Sequence, residues 1–258
     1  MGDYELFKKK VYDLTNIDLS SYKERQMKRR IDALIAKSKV ASYEEYIHLL
    51  RTDKEKMDEF VAYLTINVSE FYRNPDQWEL MENEMLPYLF EKFGKDIKIW
   101  SAACSTGDEP YTIVMLLSKY LPMEKIRVIA TDIDLQVIAK AKTGLYDEKS
   151  LKGLPQEYIN KFFTKIGSRS YQISDDVKKR VDFRQHNLLK DNYPADCNLI
   201  VCRNVMIYFT EEAKREIYKK FNDSLKTDGL FFVGSTEQII SPDKVGFKGF
   251  KSFFYKKL

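Results

Sequence analysis

Residues 99–113 read IWSAACSTGDEPYTI, and this stretch decides the fold. It opens as a short apolar strand, passes through the small residues Ala102, Ala103, Ser105 and Gly107, and enters a helix near Pro110. Proline suits a first helical turn because the amide it lacks would have no partner there. A turn of small side chains lets a ligand approach the backbone closely. The next strand, IRVIAT (126–131), runs into ATDID (130–134) and carries Asp132 at its tip. An acid in that place can accept both hydroxyls of a ribose. The pattern predicts a nucleoside site at the carboxyl ends of a parallel sheet.

Outward from this unit the alternation continues. Asn74-Pro75 opens a helix through Trp78, Met81, Met85 and Leu89 that stops near Gly94. After the second strand come a helix from Leu135 to Thr143 and a less regular stretch from Gly144 to about Phe183. Then follow the strand NLIVC (198–202), a helix from Thr210 to about Lys226 ended by Gly229, the strand LFFVGS (230–235) and a last strand, FKSFFYKKL (250–258). Alternating strands and helices predict a mostly parallel, doubly wound α/β sheet. The two final strands have no clear helix between them, which predicts an antiparallel edge.

Residues 1–75 have a different grammar and read as helices alone. Phe7, Val11 and Leu14 recur at helical spacing, as do Met27, Ile31, Leu34 and Ile35. Ser21 with Glu24, Ser42 with Glu45 and Thr52 with Glu55 fit helix starts of the capping-box type. The predicted organisation is a helical domain over 1–75 and a sheet domain over 76–258.

Composition narrows the classes. The chain has 258 residues, 44% of them apolar, with 43 basic and 39 acidic side chains and a net charge of +4. That charge is too small for nucleic-acid binding by bulk attraction. No apolar run approaches a membrane span, and the charged start MGDYELFKKKVYDL is no secretory signal. Cys104, Cys197 and Cys202 form no CxxC pair, and there are two histidines, so neither a disulfide framework nor a metal site is expected. A reducing cytoplasm is the expected setting.

Three clusters supply candidate site residues. At the first turn the pyrophosphate pattern GxGxxG is absent and the anions Asp108 and Glu109 stand in its place. They repel a pyrophosphate and suit a cation, such as the ammonium of S-adenosylmethionine, which disfavours a nicotinamide cofactor. The same carboxylates also suit a helix N-terminus. NVSEFYRN (67–74) places Arg73 beside the boundary between the halves, where a guanidinium can hold a carboxylate bidentately. VCRNVMIYF (201–209) puts Arg203, Asn204 and Tyr208 at the tip of a buried strand, and HNLLKDNYP (186–194) offers Asn187.

LTINVSEFYRN (64–74), IWSAACSTGDEPYTI, ATDID, HNLL (186–189) and CRNVMIYF (202–209), in this order and spacing, resemble the CheR family, and its Bacillus-type members in particular. These are the chemoreceptor glutamate methyltransferases of bacterial chemotaxis, and the resemblance runs from about residue 5 to 258. It implies a class I S-adenosylmethionine-dependent methyltransferase sheet of Rossmann-like form. An all-α domain precedes that sheet, and a small antiparallel β-subdomain is inserted at about 164–183. By motif it implies that Asn67, Ser69, Arg73, Ala103, Gly107, Glu109, Asp132, Asn187, Leu188, Arg203 and Asn204 bind the cofactor. Asp132 would take the ribose, and Asn187 and Leu188 the adenine rim. Arg73 and Tyr208 match the pair that orients the substrate carboxylate and the methyl group.

The implied partners are the cytoplasmic methylation helices of chemoreceptors, converted to glutamate methyl esters for adaptation at membrane-bound arrays. The products would be that ester and S-adenosylhomocysteine. Segment 19–40 holds seven basic and two acidic residues, and Arg25, Lys28 and Arg29 share a face that could steer acidic helices or simply be solvated. Some family members dock a receptor-tail pentapeptide on the β-subdomain. Here the loop GSRSYQISDDVKK (167–179) is shorter and lacks a glycine-rich tip, so independence from a pentapeptide is expected, as is a monomer. The readings left beside this one are a methyltransferase for another substrate and a non-catalytic, cofactor-binding adaptor.

Overall fold

The computed structural model describes residues 2–258. Contacts divide the chain into two units: residues up to Asn67 together with Tyr208–Arg215, and Val68–Ile207 together with Glu216–Leu258. The second unit begins earlier than the residue 75 read from the sequence. Phe71 and Tyr72 are buried in the sheet unit's core, where the Phe71 amide donates to the Ser150 carbonyl at 2.9 Å.

The first unit is helical: α1 (Gly2–Thr15), α2 (Glu24–Lys37), α3 (Tyr43–Thr52) and α4 (Lys54–Thr65). Phe7, Val11, Met27, Ile31 and Leu34 are buried, as their spacing predicts, while Leu14 and Ile35 of the same faces are only half-buried; Tyr46, Phe60 and Leu64 are buried with them. Each large apolar side chain removed from water contributes about 1.5–3 kcal/mol. The α3 cap forms as read: the Ser42 hydroxyl accepts from the Glu45 amide at 3.1 Å, and the Glu45 carboxylate accepts from the Ala41 amide at 2.9 Å. The other two caps do not. Asp53, not Thr52, caps α4, accepting from the Lys56 amide at 3.1 Å, because the Thr52 hydroxyl donates back to the His48 carbonyl. Ser21 donates to Asp18 in a separate 3₁₀ turn, and α2 begins without a side-chain cap.

The second unit starts with α5 (Pro75–Leu80) and α6 (Leu86–Phe93), joined by one π-helical turn (Met81–Met85), and ends as predicted at Gly94. The π turn has a visible cause. The Glu82 carbonyl accepts from the Tyr120 hydroxyl at 2.8 Å and its carboxylate from Lys119 at 2.7 Å, pulling that residue off the regular ladder.

Then come β1 (Ile99–Ala102), α7 (Asp108–Leu117), β2 (Val128–Asp132), α8 (Leu135–Thr143), β3 (Leu145–Asp147), α9 (Gln156–Phe162), β4 (Phe163–Ile166), β5 (Ser170–Ile173), α10 (Asp175–Lys178), β6 (Val181–Gln185), β7 (Cys197–Cys202), α11 (Glu211–Ser224), β8 (Leu225–Val233), β9 (Phe247–Lys251) and β10 (Phe254–Lys257). Seven strands form one sheet in the order β6-β2-β1-β7-β8-β10-β9. Its first five are parallel, and β10 and β9 are antiparallel. This is the class I methyltransferase arrangement with the antiparallel edge that the helix-free final stretch predicts. Every residue of β1 and β7 is buried, as central parallel strands require.

A second sheet, β3-β5-β4, is the small antiparallel insertion. Its bounds differ from 164–183. Residues 145–147 contribute a strand, whereas 181–185 pair with β2 in the main sheet, because Val181 and Phe183 continue the parallel register. Two other readings change. The final FKSFFYKKL belongs to a β9–β10 hairpin that turns at Phe253. Gly229 lies inside β8 and is no helix stop: a Cβ there would stand 2.8 Å from the Lys226 carbonyl, where the strand bulges against β7.

Candidate active site

The carboxyl ends of β1, β2, β6 and β7 carry the residues read as cofactor ligands. After β1 the chain takes left-handed backbone at Ala103 (φ 63°), Ser105 (φ 49°) and Gly107 (φ 89°). At Gly107 a Cβ would stand 2.9 Å from that of Ala141, so only glycine lets α8 pack so near. The turn is fastened from outside by the Tyr146 hydroxyl, which donates to the Thr106 carbonyl at 2.7 Å.

Asp132 ends β2 and braces this turn. One carboxylate oxygen accepts from the Ser105 amide at 2.8 Å and the other from the Asp134 amide at 3.0 Å. Burial pushes its carboxyl up to about 6, partly offset by those amides. Each oxygen keeps a second lone pair for a ribose hydroxyl.

Two buried oxygens at the turn, Ser105 Oγ and Asp108 Oδ1, have no hydrogen-bond partner. Native structures leave few such atoms, and unmet polar atoms beside a cradle of small residues fit a polar nucleoside ligand. Asp108 Oδ2 accepts from the Thr106 hydroxyl, and the Ser69 hydroxyl lies close enough to lower the carboxyl's pKa. Ser69, read as lining the pocket, thus ties the 68–74 segment to the turn. With the carboxylates in place of glycines, the donor set fits S-adenosylmethionine and not a pyrophosphate.

Glu109 stands in the first turn of α7. The Ser101 hydroxyl of β1 donates to it at 2.8 Å, and Arg203 Nη1 is 3.9 Å from its other oxygen. Burial raises its carboxyl to about 7, with Arg203 opposing.

Arg203 follows β7 directly, at the strand tip where the sequence puts it. Its side chain is 3% exposed. Nη2 donates to the Arg73 carbonyl at 2.8 Å and to Asn74 Oδ1 and Gln77 Oε1 at 3.0 Å each. The guanidinium lies 5.1 Å from the Trp78 ring centre and 4.8 Å from that of Phe232. These contacts point it at the 73–77 turn.

Arg73 itself is half-buried, and its Nη1 donates to the Val68 carbonyl at 3.3 Å. Its charge acts on both Glu109 and Arg203, which places all three in one cluster. Asn204 (φ 61°) is held through its amide by the buried Glu237 carboxylate, which also accepts from the amides of Gly234 at 3.0 Å and Ile207 at 3.3 Å. Sequence reasoning missed Glu237; its only signal was an acid in STEQ just past a buried strand.

In the HNLL turn Asn187 Oδ1 accepts from the Leu189 amide at 2.9 Å and helps to close the turn. The Leu188 carbonyl is held by the Tyr193 hydroxyl at 2.7 Å, and Lys220 of α11 donates to the Leu189 carbonyl at 2.8 Å. Asn67 and Tyr208 belong to the helical unit. There Asn67 donates to the Thr65 hydroxyl at 2.8 Å, and the Tyr208 carbonyl accepts from the Lys23 amide at 2.9 Å. On α2, Lys28 is paired with Asp32 at 2.8 Å, whereas Arg25 and Arg29 are exposed and have no ion pair among the described residues.

Known proteins carry the same arrangement. The family model described as "CheR methyltransferase, all-alpha domain" matches residues 2–65, and "CheR methyltransferase, SAM binding domain" matches 67–253. A "Chemotaxis protein methyltransferase" of Listeria monocytogenes is 39% identical over 99% of this chain and 97% of its own. Proteins of the same description from Borreliella burgdorferi and Escherichia coli K12 are 33% and 30% identical. They cover 89% and 88% of this chain, and 85% and 81% of their own. The chain belongs to the CheR methyltransferase family and is a methyltransferase that uses S-adenosylmethionine.

Proposed function

We propose that the chain methylates side-chain carboxylates of glutamates in the cytoplasmic methylation helices of chemoreceptors, forming the methyl esters used in chemotactic adaptation. The observation that carries this reading is Arg73. It is a half-buried guanidinium in the same charge cluster as Glu109 and Arg203, on a turn tied to the tips of β1 and β7. A glutamate carboxylate, with an ordinary pKa of about 4.3, is already ionised at neutral pH. The nucleophile therefore needs no general base, and His186, the histidine nearest these strand tips in sequence, packs on Trp100 and Tyr193.

S-adenosylmethionine, when bound, supplies an activated methyl group. What the protein adds is position. Arg73 holds one oxygen of the incoming carboxylate so that the other faces the methyl carbon. Too firm a hold would stabilise the ground state, and only contacts kept in the transition state speed the reaction. A single half-exposed guanidinium meets that condition better than a closed bidentate cage. Asp132 takes the ribose hydroxyls and Glu109 the cofactor ammonium. Arg25 and Arg29 on α2 attract the acidic substrate helix, with Lys28 beside them. The protein acts as a monomer in the cytoplasm, without a pentapeptide tether.

The test is incubation of the purified protein with methyl-labelled S-adenosylmethionine and receptor-containing membranes. Base-labile label on the receptor is expected. Cofactor binding without such label would leave a non-catalytic adaptor or another substrate.

A further inference from the structure

We infer that Glu237 is a positioning residue for the cofactor pair Arg203 and Asn204, acting through the backbone of the turn that follows β7. This rests on the reading that Arg203 and Asn204 meet S-adenosylmethionine. The turn stands on the cofactor side of the sheet: β7 pairs with β1, and Arg203 Nη1 is 3.9 Å from Glu109 at the start of α7. Its backbone is left-handed at Asn204 (φ 61°), a conformation that a non-glycine residue holds only where its surroundings determine it.

Glu237 supplies the determining contacts. Its side chain is buried, with the residue 5% exposed. Oε2 accepts from the amides of Asn204 and Gly234, the latter at 3.0 Å, and Oε1 accepts from the amide of Ile207 at 3.3 Å. One carboxylate thus joins the turn after β7 to the tip of β8. Amides at strand ends have lost their ladder partners, and a charged acceptor meets three of them with the stronger kind of hydrogen bond. The carboxylate is itself held in place. The Glu237 amide donates to the Gly234 carbonyl at 3.0 Å, and the Ile239 amide donates to the Tyr255 hydroxyl of β10 at 2.9 Å. Gly234 makes room for the contact: a Cβ there would stand 2.5 Å from Glu237 Oε2 and 2.9 Å from the Asn204 amide nitrogen. The Glu237 charge also favours the Arg203 cation across the same turn. Backbone and charge of the pair are therefore both set by a residue 33 positions beyond Asn204.

The experiment compares wild type with two variants. Glu237→Gln keeps the shape but turns an N–H group toward at least one of the three amides. Gly234→Ala keeps the carboxylate and pushes it off the turn. The readouts are calorimetric affinity for S-adenosylhomocysteine, amide hydrogen exchange over residues 203–207, and kcat with the KM for cofactor and for receptor on receptor membranes. For Glu237→Gln the expected result is affinity lower by about tenfold and exchange at 203–207 faster by about tenfold, with the rest of the sheet unit at the wild-type rate. The cofactor KM should rise by about tenfold while kcat and the receptor KM stay within about twofold. Gly234→Ala shifts affinity, exchange and cofactor KM in the same direction by about fivefold, and decides the matter should Glu237→Gln fail to fold. Lower affinity with exchange at the wild-type rate overturns the inference and makes Glu237 a direct cofactor contact. Faster exchange with wild-type affinity overturns it as well, since the turn would then not serve the cofactor. Exchange accelerated across the whole sheet unit, with kcat and KM worsening together, overturns it in favour of a purely structural role. Failure of the proposed function looks different: affinity and exchange need no receptor, and wild type would then bind cofactor and label no receptor.

Discussion

Asp132 and Arg73 differ in what their surroundings do to them. Asp132 is desolvated, so its carboxyl titrates near 6, while ribose hydroxyls favour its ionised form. Protonation therefore competes with the cofactor. Affinity for S-adenosylhomocysteine is expected to fall toward about tenfold per pH unit below pH 6, and to lose that dependence above it. Glu109, raised to about 7, adds a second inflection if it takes the cofactor ammonium. Calorimetry across this range checks both, and Asp132→Asn should erase the lower inflection and spare the upper. Arg73, half in solvent, acts by placement. Arg73→Ala is expected to cut kcat by about 10²–10³, the loss typical of one removed transition-state contact, with cofactor affinity nearly kept. Wild-type turnover in that variant removes Arg73 from the reaction.

Among elements, periodicity was a safer guide than caps. The buried faces of α1, α2 and α4 follow their apolar spacing. Of three capping boxes only Ser42/Glu45 formed, since Thr52 and Ser21 found nearer partners in the His48 carbonyl and Asp18. Local hydroxyl bonds compete at energies the motif does not encode. The basic face of α2 was legible, but which of its charges are free was not, because Asp32 and Tyr43 engage Lys28. The steering prediction thus falls on two residues. Arg25→Glu/Arg29→Glu should raise the KM for receptor about tenfold at low salt and leave kcat near wild type. The wild-type KM should itself rise as added salt screens exposed charge. A salt-independent KM refutes the steering.

At the scale of the molecule, the small β3-β5-β4 sheet bears on how the receptor is held. Its β4–β5 connection turns tightly, at Gly167 (φ 64°). With so short a connection we expect no measurable binding of a receptor-tail pentapeptide when the isolated protein is titrated with it. Micromolar affinity would prove this wrong. The main sheet bears on the reaction itself. It brings the tips of β1, β2, β6 and β7 into one row, and the 68–74 segment closes on that row through Ser69–Asp108 and Arg203–Arg73.

The sequence by itself determined the helical first part, the parallel sheet with its antiparallel edge, the turn at 102–107 and the acid at 132. Each is written in short-range signals: apolar period, small residues, a proline, a strand-end carboxylate. Tertiary structure alone decided that Arg203 donates to the Arg73 carbonyl, that Asn187 helps to close its own turn, that Glu237 anchors Asn204, and that 181–185 joins the main sheet. Those outcomes depend on which polar atoms are left without water when distant segments pack together. No local pattern records that, because the partners are separated in the chain by as many as 130 residues.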